Sequence, residues 1–425
     1  MNPCMRACVA LVACSLPSLA GATNGYFSHG YGIKSKGMAG VGIALPQDAL
    51  AAATNPAGMA FVGTRLDVGL DWFKPNRSSE IRGNGGVPPF GVPSLDGDFD
   101  GNGRSSFLIP DFGYNRMIDP SLALGLAVYG NGGMSTRYDT SPFARMGGGS
   151  PAGVDLTQLF IAPTIAWKIN AAHAIGASLN FAHQQFAASG LQPFGQFGMS
   201  RNPTKLTNNG FDDSSGWGLR LGWTGRLNDA VTLGATWQSK TRMSRFDSYS
   251  GLFADQGRFD IPSNYGIGIA ARVLPQLTVA ADLQKIVYSG VSSVANPMSN
   301  LFSGNLLGDA NGPGFGWRDM TVLKLGVSWR ARPDLVLRGG VSHGRQPIPA
   351  GETFFNVLAP GVIENHLTLG ATWTLANGHE LSLAYMHGFR KTVAGSNSIP
   401  ASFGGGNANL TMDQNSLGIA YGVRF

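Results

Sequence analysis

Few residues in this chain are arranged for chemistry, and each candidate fails a specific requirement. Asp96-Gly97-Asp98-Phe99-Asp100-Gly101 matches the first half of a calcium-binding loop, with carboxylates at alternate positions and a glycine at the sixth. The twelfth position is Phe107, where a bidentate Glu would complete the cage. Asp96, Asp98 and Asp100 therefore make a weak calcium candidate, and a polar turn is the simpler reading. The seven histidines show no metal-ligand spacing; His366 and His387 fall at strand positions and His29 in the N-terminal stretch, so no metal is predicted. Gly37-Met38-Ala39-Gly40-Val41-Gly42 departs from the dinucleotide fingerprint and follows no strand. There is no nucleophile elbow. Neither an enzyme nor a cofactor is predicted.

Cysteine chemistry falls away with the amino terminus. Arg6, the apolar run Ala7 to Leu16, Pro17 and the small residues Ser18, Ala20 and Ala22 follow the layout of a secretory signal peptide. Residues 1–22 are expected to be removed by cleavage after Ala22 or Ala20. Cys4, Cys8 and Cys14 go with them, so the mature chain holds no thiol for a disulfide or a thiolate metal site. The competing lipoprotein reading of Leu11-Val12-Ala13-Cys14 leaves a very short apolar stretch after Arg6.

Composition points to a nonpolar surrounding. Only 13% of the residues are charged, about half the usual share. Glycine occupies 61 of 425 positions, about twice the usual frequency and hostile to helix bundles. Beyond the signal region no apolar run reaches the roughly 20 residues of a membrane helix, and mean hydropathy is +0.01. The net charge of +6 forms no basic block, which argues against a nucleic-acid partner.

The pattern that remains has period two. Leu417, Ile419, Tyr421, Val423 and Phe425 share one face, opposite Ser416, Gly418, Ala420, Gly422 and Arg424. Similar apolar faces are Leu122/Leu124/Leu126/Val128, Ile175/Ala177/Leu179/Phe181, Trp217/Leu219/Leu221/Trp223, Val231/Leu233/Ala235/Trp237, Leu323/Leu325/Val327/Trp329, Leu367/Leu369/Ala371/Trp373 and Leu381/Leu383/Tyr385. A soluble sandwich alternates too, and the connections decide. Tight turns at Asp119-Pro120, Asn170-Ala171-Ala172, Asn228-Asp229, Leu274-Pro275, Arg332-Pro333-Asp334 and Ala376-Asn377-Gly378 alternate with long Gly/Pro/Asn-rich loops. The loops are expected at 74–106, 131–155, 188–215, 247–262, 286–318, 344–364 and 391–413. Short periplasmic turns alternating with long outer loops belong to an outer-membrane barrel. The links imply about fourteen strands, with Trp223, Trp237, Trp329, Trp373 and Tyr421 as girdle residues. The fold expected is all-β: a transmembrane antiparallel β-barrel over residues 64–425.

Residues 23–63, small and Gly/Ala-rich, read as a plug rather than a strand. Asn24-Gly25-Tyr26-Phe27-Ser28-His29-Gly30-Tyr31-Gly32, Gly37-Met38-Ala39-Gly40, and Asp48 leading to Thr54-Asn55-Pro56-Ala57-Gly58 resemble the amino-terminal hatch of the FadL/TodX family of outer-membrane transporters for hydrophobic compounds. The resemblance extends over strand count, the terminal Phe425 and essentially the whole mature chain. It implies capture of an apolar ligand by outer loops, passage to a luminal pocket and hatch-gated exit through the wall. The gate would be Asn55, Pro56 and Ala57, beside an exit kink at Gly130, Gly132 and Gly133 at the end of strand three. Capture would fall to Phe194, Phe197 and Met199 in the third outer loop and to Leu252 and Phe253 in the fourth; exposed apolar loop residues mark binding surfaces.

A fatty acid would also need a luminal donor for its carboxylate. By alternation Arg220, Lys324 and Arg338 face inward and are the candidates. An aromatic hydrocarbon would need none. The expected partners are a hydrophobic small molecule, outer-membrane lipid and lipopolysaccharide, with the barrel acting as a monomer in a Gram-negative outer membrane. The alternative functions are a general diffusion porin and a structural or adhesive barrel.

Overall fold

The computed structural model describes residues 24–425; the expected signal peptide, residues 1–22, lies outside the described residues. Fourteen long strands make the wall: β1 (Arg65–Arg82), β2 (Phe107–Met117), β3 (Leu122–Tyr138), β4 (Ala152–Lys168), β5 (His173–Ser189), β6 (Asp212–Arg226), β7 (Val231–Gln238), β8 (Asn264–Leu274), β9 (Leu277–Ile286), β10 (Met320–Arg332), β11 (Leu335–Gly344), β12 (Asn365–Thr374), β13 (Glu380–Val393) and β14 (Asn407–Arg424). Each is antiparallel to the next, and β14 closes on β1 from Arg65↔Arg424 to Arg82↔Asn407. Closure of β14 on β1 leaves no terminal strand edge in lipid, where an unpaired backbone group costs several kcal/mol. No described helix is long and apolar enough to cross a membrane.

Alternation decides the faces as expected. In β1, Val68, Leu70 and Trp72 are exposed while Asp67, Asp71 and Phe73 are buried. The six tight turns fall where the sequence places them, and four are clamped by the side chain that opens them. Asp119 accepts from the Ser121 and Leu122 amides, Asn170 from Ala172 and His173, Asn228 from Ala230 and Val231, and Asn377 from His379. Such Asx contacts satisfy backbone donors that a two-residue turn leaves open.

Strand lengths differ from the expectation. β1 runs to Arg82, β3 to Tyr138, β4 begins at Ala152 and β14 at Asn407, all inside stretches expected to be loop. Above the lipid the outward face no longer needs apolar residues, so the pairing continues while the alternating signal disappears. Lys74 and Asn76 are outward and exposed on β1 for this reason.

Residues 24–63 lie among the inward-facing side chains and contain one short α-turn, Ile33–Lys36, and two 3-10 turns, Ala49–Ala53 and Pro56–Phe61. Inward glycines make the room. A Cβ at Gly113 would lie 2.8 Å from Ala49, at Gly176 2.4 Å from Ala57 N, at Gly222 1.9 Å from Asn55 Oδ1, at Gly234 2.3 Å from Ile43 O and at Gly326 2.9 Å from Met38 O. These five stand on five different strands, so the wall approaches the segment on many sides. Part of the glycine excess is thus a packing requirement.

Candidate functional site

The lumen of the lower barrel is polar because the N-terminal segment presents backbone groups and charges that need partners. Asp282 accepts from the Gly42 and Ile43 amides at 2.8 and 3.0 Å, Asp67 from Ala49 at 3.0 Å, and Thr368 Oγ1 from Ala39 at 2.8 Å. Lys36 pairs with Asp71 at 2.6 Å; Glu380 holds both Lys34 and Arg65. Burial, reinforced by nearby Asp67, pushes the Asp48 carboxyl up to about 6, while burial and His366 hold the His29 imidazole well below its usual range.

Arg220, Lys324 and Arg338 face inward, as alternation requires. All three are spent on this lower lumen. Arg220 donates to Thr54 O at 3.0 Å and to Gln238, Lys324 to His29 O at 3.0 Å, and Arg338 to Gln47 Oε1 and Thr372 Oγ1 at 2.7 Å each.

Asn55 caps the second 3-10 turn: its Oδ1 accepts from the Ala57 amide at 3.1 Å. Its amide group donates to Ile43 O at 2.7 Å, Trp223 O at 2.9 Å and Thr224 Oγ1 at 3.2 Å. Asn55-Pro56-Ala57 is thereby seated against β5 and β6, where Gly176 and Gly222 admit it.

The kink lies in mid-strand rather than at a strand end. β3 changes register between Gly130 and Gly132, a bulge that glycine tolerates well. The β2–β3 ladder runs only from Met117↔Ala123 to Phe112↔Val128, while β2 stays paired with β1 as far as Phe107. Opposite Phe107–Asp111, the free edge of β3 pairs instead with Tyr26–Ser28 of the N-terminal segment. Ser28 N donates to Asn131 O at 2.9 Å, Gly133 N to Tyr26 O at 3.0 Å, and Phe27 bridges Gly132. Higher up, Arg137 exchanges backbone bonds with Gly101 and Gly103. The result is an interrupted ladder, a window bounded by β2, β3 and the 101–103 segment. Ile109 packs toward Gly130 across it, and the N-terminal strip sits at its inner side.

Above the polar lumen, apolar cavities follow one another. An outer cleft of about 810 Å³ is lined by Val87, Met146, Phe197, Met199, Phe302 and Phe403 among others. An inner, nearly closed cavity of about 50 Å³ is lined by Met134, Phe143, Phe186, Phe194, Leu252 and Phe253 among others. A third, of about 30 Å³, lies between Phe73, Phe107, Gly133, Met134, Trp317 and Met412. Its walls include Phe107 and Gly133, from the two sides of the window, and Met134 also lines the inner cavity.

The five loop residues singled out in the sequence are therefore divided. Phe197 and Met199 line the outer cleft; Phe194, Leu252 and Phe253 line the inner cavity. Only Phe197 is exposed, at 37%, against 4% for Phe194 and 5% for Phe253. The buried ones pack on other rings, Phe194 on Phe143 at 5.2 Å and Phe253 on Phe186 at 4.6 Å. Met146, Phe302 and Phe403, from the second, fifth and seventh outer loops, were missed, although they carry the same signal of isolated apolar residues in polar loops. Asp96, Asp98 and Asp100 do not converge: they meet Asn84 N, Arg82 and Asn102 N separately. Among the described residues no group of three His, Cys, Asp or Glu could hold a metal.

A family profile described as "Outer membrane protein transport protein (OMPP1/FadL/TodX)" matches residues 18–425. No curated protein matches the chain. Similar solved structures include the P. putida toluene transporter TodX, with TM-score 0.69 and 18% identity over 93% of this chain and 99% of that one. A Pseudomonas aeruginosa FadL homologue gives 0.72 and 17% over 94% and 100%. The Ralstonia pickettii toluene transporter TbuX gives 0.65 and 19% over 93% and 99%. The TM-scores establish a common fold, and the profile covers nearly the whole sequence. The chain is a member of the OMPP1/FadL/TodX family of outer-membrane transport proteins of Gram-negative bacteria.

Proposed function

We propose that the protein admits hydrophobic small molecules by facilitated diffusion, with residues 24–63 acting as a hatch on a sideways exit. The observation that carries this reading is the succession of apolar cavities from the outer cleft to the interrupted β2–β3 ladder. A molecule caught between Phe197, Met199 and Phe302 moves inward past Phe194 and Phe253. Each buried methylene gains about 0.8 kcal/mol, so entering needs no energy source. The polar lumen below blocks a straight descent, whereas the window opens toward lipid. Withdrawal of Tyr26–Ser28 from β3 breaks the seal. Asn55-Pro56-Ala57, anchored on β5 and β6, holds the rest of the hatch in register. One barrel contains the whole route, in keeping with a monomer.

Neutral hydrocarbons fit best, because the inner cavity is lined by no cation and Arg220, Lys324 and Arg338 are occupied. A second reading, long-chain carboxylates, is favoured by Arg77. It borders the cavity beside the window and is 3% exposed, and its guanidinium donates to the carbonyls of Ser135 and Arg104 and lies over the Phe107 ring, with no carboxylate within 4.0 Å among the described residues. Mass spectrometry of whatever copurifies with the barrel separates the two classes. Deleting Asn55-Pro56-Ala57 is expected to abolish uptake in reconstituted vesicles and leave ligand binding intact. Normal uptake would defeat the hatch mechanism, and free passage of ions and sugars in planar bilayers would make the protein a porin.

A further inference from the structure

A cavity of about 310 Å³ opens between the fourth and fifth outer loops. Lys240, Arg242, Arg258, Asp255, Asp260 and Ser292 line it. Its position relative to the membrane follows from register. Arg242 is paired with Trp217, and paired residues of antiparallel strands share a face. Trp217 is outward and exposed, and Arg242 is exposed beside it. Further along the same surface, Trp237, Tyr265 and Lys285 form one hydrogen-bonded row across β7, β8 and β9. Two residues toward the periplasm lie Ile267 and Leu283, again paired and exposed. The surface is therefore layered: hydrocarbon-facing aliphatics, an aromatic belt, and cations above it.

We infer that this layered surface is a binding site for lipopolysaccharide of the outer leaflet, whose lipid A phosphates are held by Lys240, Arg242 and Arg258. The vertical order of an amphiphile matches the order of the side chains, with acyl chains against Ile267 and Leu283, sugar at the Trp237–Tyr265 row and phosphate above, where Trp217 stands beside Arg242. The charges are arranged to accept an anion. Lys240 stands 3.7 Å from Asp260 and also donates to Gly290 O at 3.1 Å. Arg258 and Arg245 share Asp255 at 3.0 and 3.1 Å. Arg242 has no carboxylate within 4.0 Å among the described residues. The cavity thus presents three cations to two carboxylates, one of them shared with a cation beyond its lining. Guanidinium groups suit phosphate because their planar donors bind it in pairs. A free phosphate would satisfy the cations but not the aliphatic and aromatic layers beneath them.

The test uses the full-length protein extracted from outer membranes, with retained lipopolysaccharide counted per barrel by native mass spectrometry. A Lys240→Gln/Arg242→Gln variant is expected to bind added lipopolysaccharide about tenfold or more weakly, each surface cation contributing to anionic-lipid affinity. Arg330→Gln, an exposed cation near the periplasmic end of β10, should change nothing. Arg242→Gln alone, which removes no ion pair, should give a smaller loss of the same sign even if the double variant folds poorly. The wild type should bind dephosphorylated lipopolysaccharide as weakly as the double variant binds the intact lipid. Unchanged retention by either variant, or equal binding of the dephosphorylated lipid, overturns the assignment. So does equal affinity for inorganic phosphate alone, which would make the cavity a free-anion site. Hydrocarbon uptake by these variants is expected to stay normal, so this inference and the transport reading fail separately.

Discussion

The window seal makes its sharpest prediction at Gly132. A Cβ there would lie 1.9 Å from Tyr26 O, about 1.5 Å inside ordinary contact, and the obstacle is backbone rather than a flexible side-chain tip. Gly132→Ala must push the Tyr26–Ser28 strip off β3. The two bonds it makes, Ser28 N to Asn131 O at 2.9 Å and Gly133 N to Tyr26 O at 3.0 Å, each contribute about 0.5 to 1.5 kcal/mol net. Their joint loss shifts the sealed-to-open ratio by about 1 to 3 kcal/mol, a factor of about 5 to 150. The assay is uptake of a fluorescent hydrophobic probe into proteoliposomes, with ion conductance recorded in parallel. Gly339→Ala is the control, since its Cβ meets nothing closer than 3.7 Å. Faster uptake in Gly132→Ala, with conductance still low and Gly339→Ala like wild type, is expected. Wild-type or slower uptake with the barrel correctly folded would refute the idea that this strip seals the exit.

Two further predictions concern how the hatch is held. Glu380→Gln leaves Lys34 buried without its carboxylate and Arg65 with Asp67 alone at 2.7 Å, so stability should fall by about 3 kcal/mol, the lower end for a broken buried pair; heat-dependent gel mobility and trypsin access at Lys34 report it, and unchanged resistance would mean that the pair contributes little. Asp48 titrates at about 6 when seated and near 3.9 when the segment is withdrawn into water. The seated state then binds the proton more tightly, so the contribution of this group to seating is full below about 4, falls away as pH rises toward 6 and is gone above it. Asp48→Asn should remove that dependence and protect the segment from protease at pH 7.5; a pH profile identical to wild type would refute the assignment.

The wall was legible in the sequence because lipid imposes a hard rule on every outward residue. Leu367, Leu369 and Trp373 had to be apolar, and their neighbours had to face in, so strand number and turn positions followed. The rule ends at the membrane surface, and with it the prediction: Lys74, Asn76 and the upper half of β3 obey only pairing, which leaves little mark on side-chain type. Site residues were legible by class and not by place. Alternation put Arg220, Lys324 and Arg338 inside, but their partners are backbone carbonyls and side-chain amides of a segment distant in sequence, and no spacing encodes that. The glycines at 130–133 signalled a bulge, yet nothing local indicated that Tyr26–Ser28 would occupy the edge the bulge leaves.

That substitution of one partner for another would let a single wall be both tight and openable, as the proposed exit requires. Below Val128 the β3 edge is satisfied by β2, and breaking it would cost the barrel its closure. At Asn131 and Gly133 the same edge is satisfied by a segment that is not part of the barrel, so releasing it leaves all fourteen strands joined. The rest of the segment has attachments of its own, in the ion pairs of Lys34 and Lys36 and the contacts of Asn55, whereas Tyr26 and Phe27 are held by the rings of Phe259, Tyr288 and Trp317. In the proposed mechanism Tyr26–Ser28 leaves those rings and β3 together while the rest of the hatch remains seated. If so, variants at Gly132 should alter uptake without altering thermal stability, and variants at Glu380 should alter stability first. Coincident changes in both quantities at both positions would mean that the hatch moves as one rigid body.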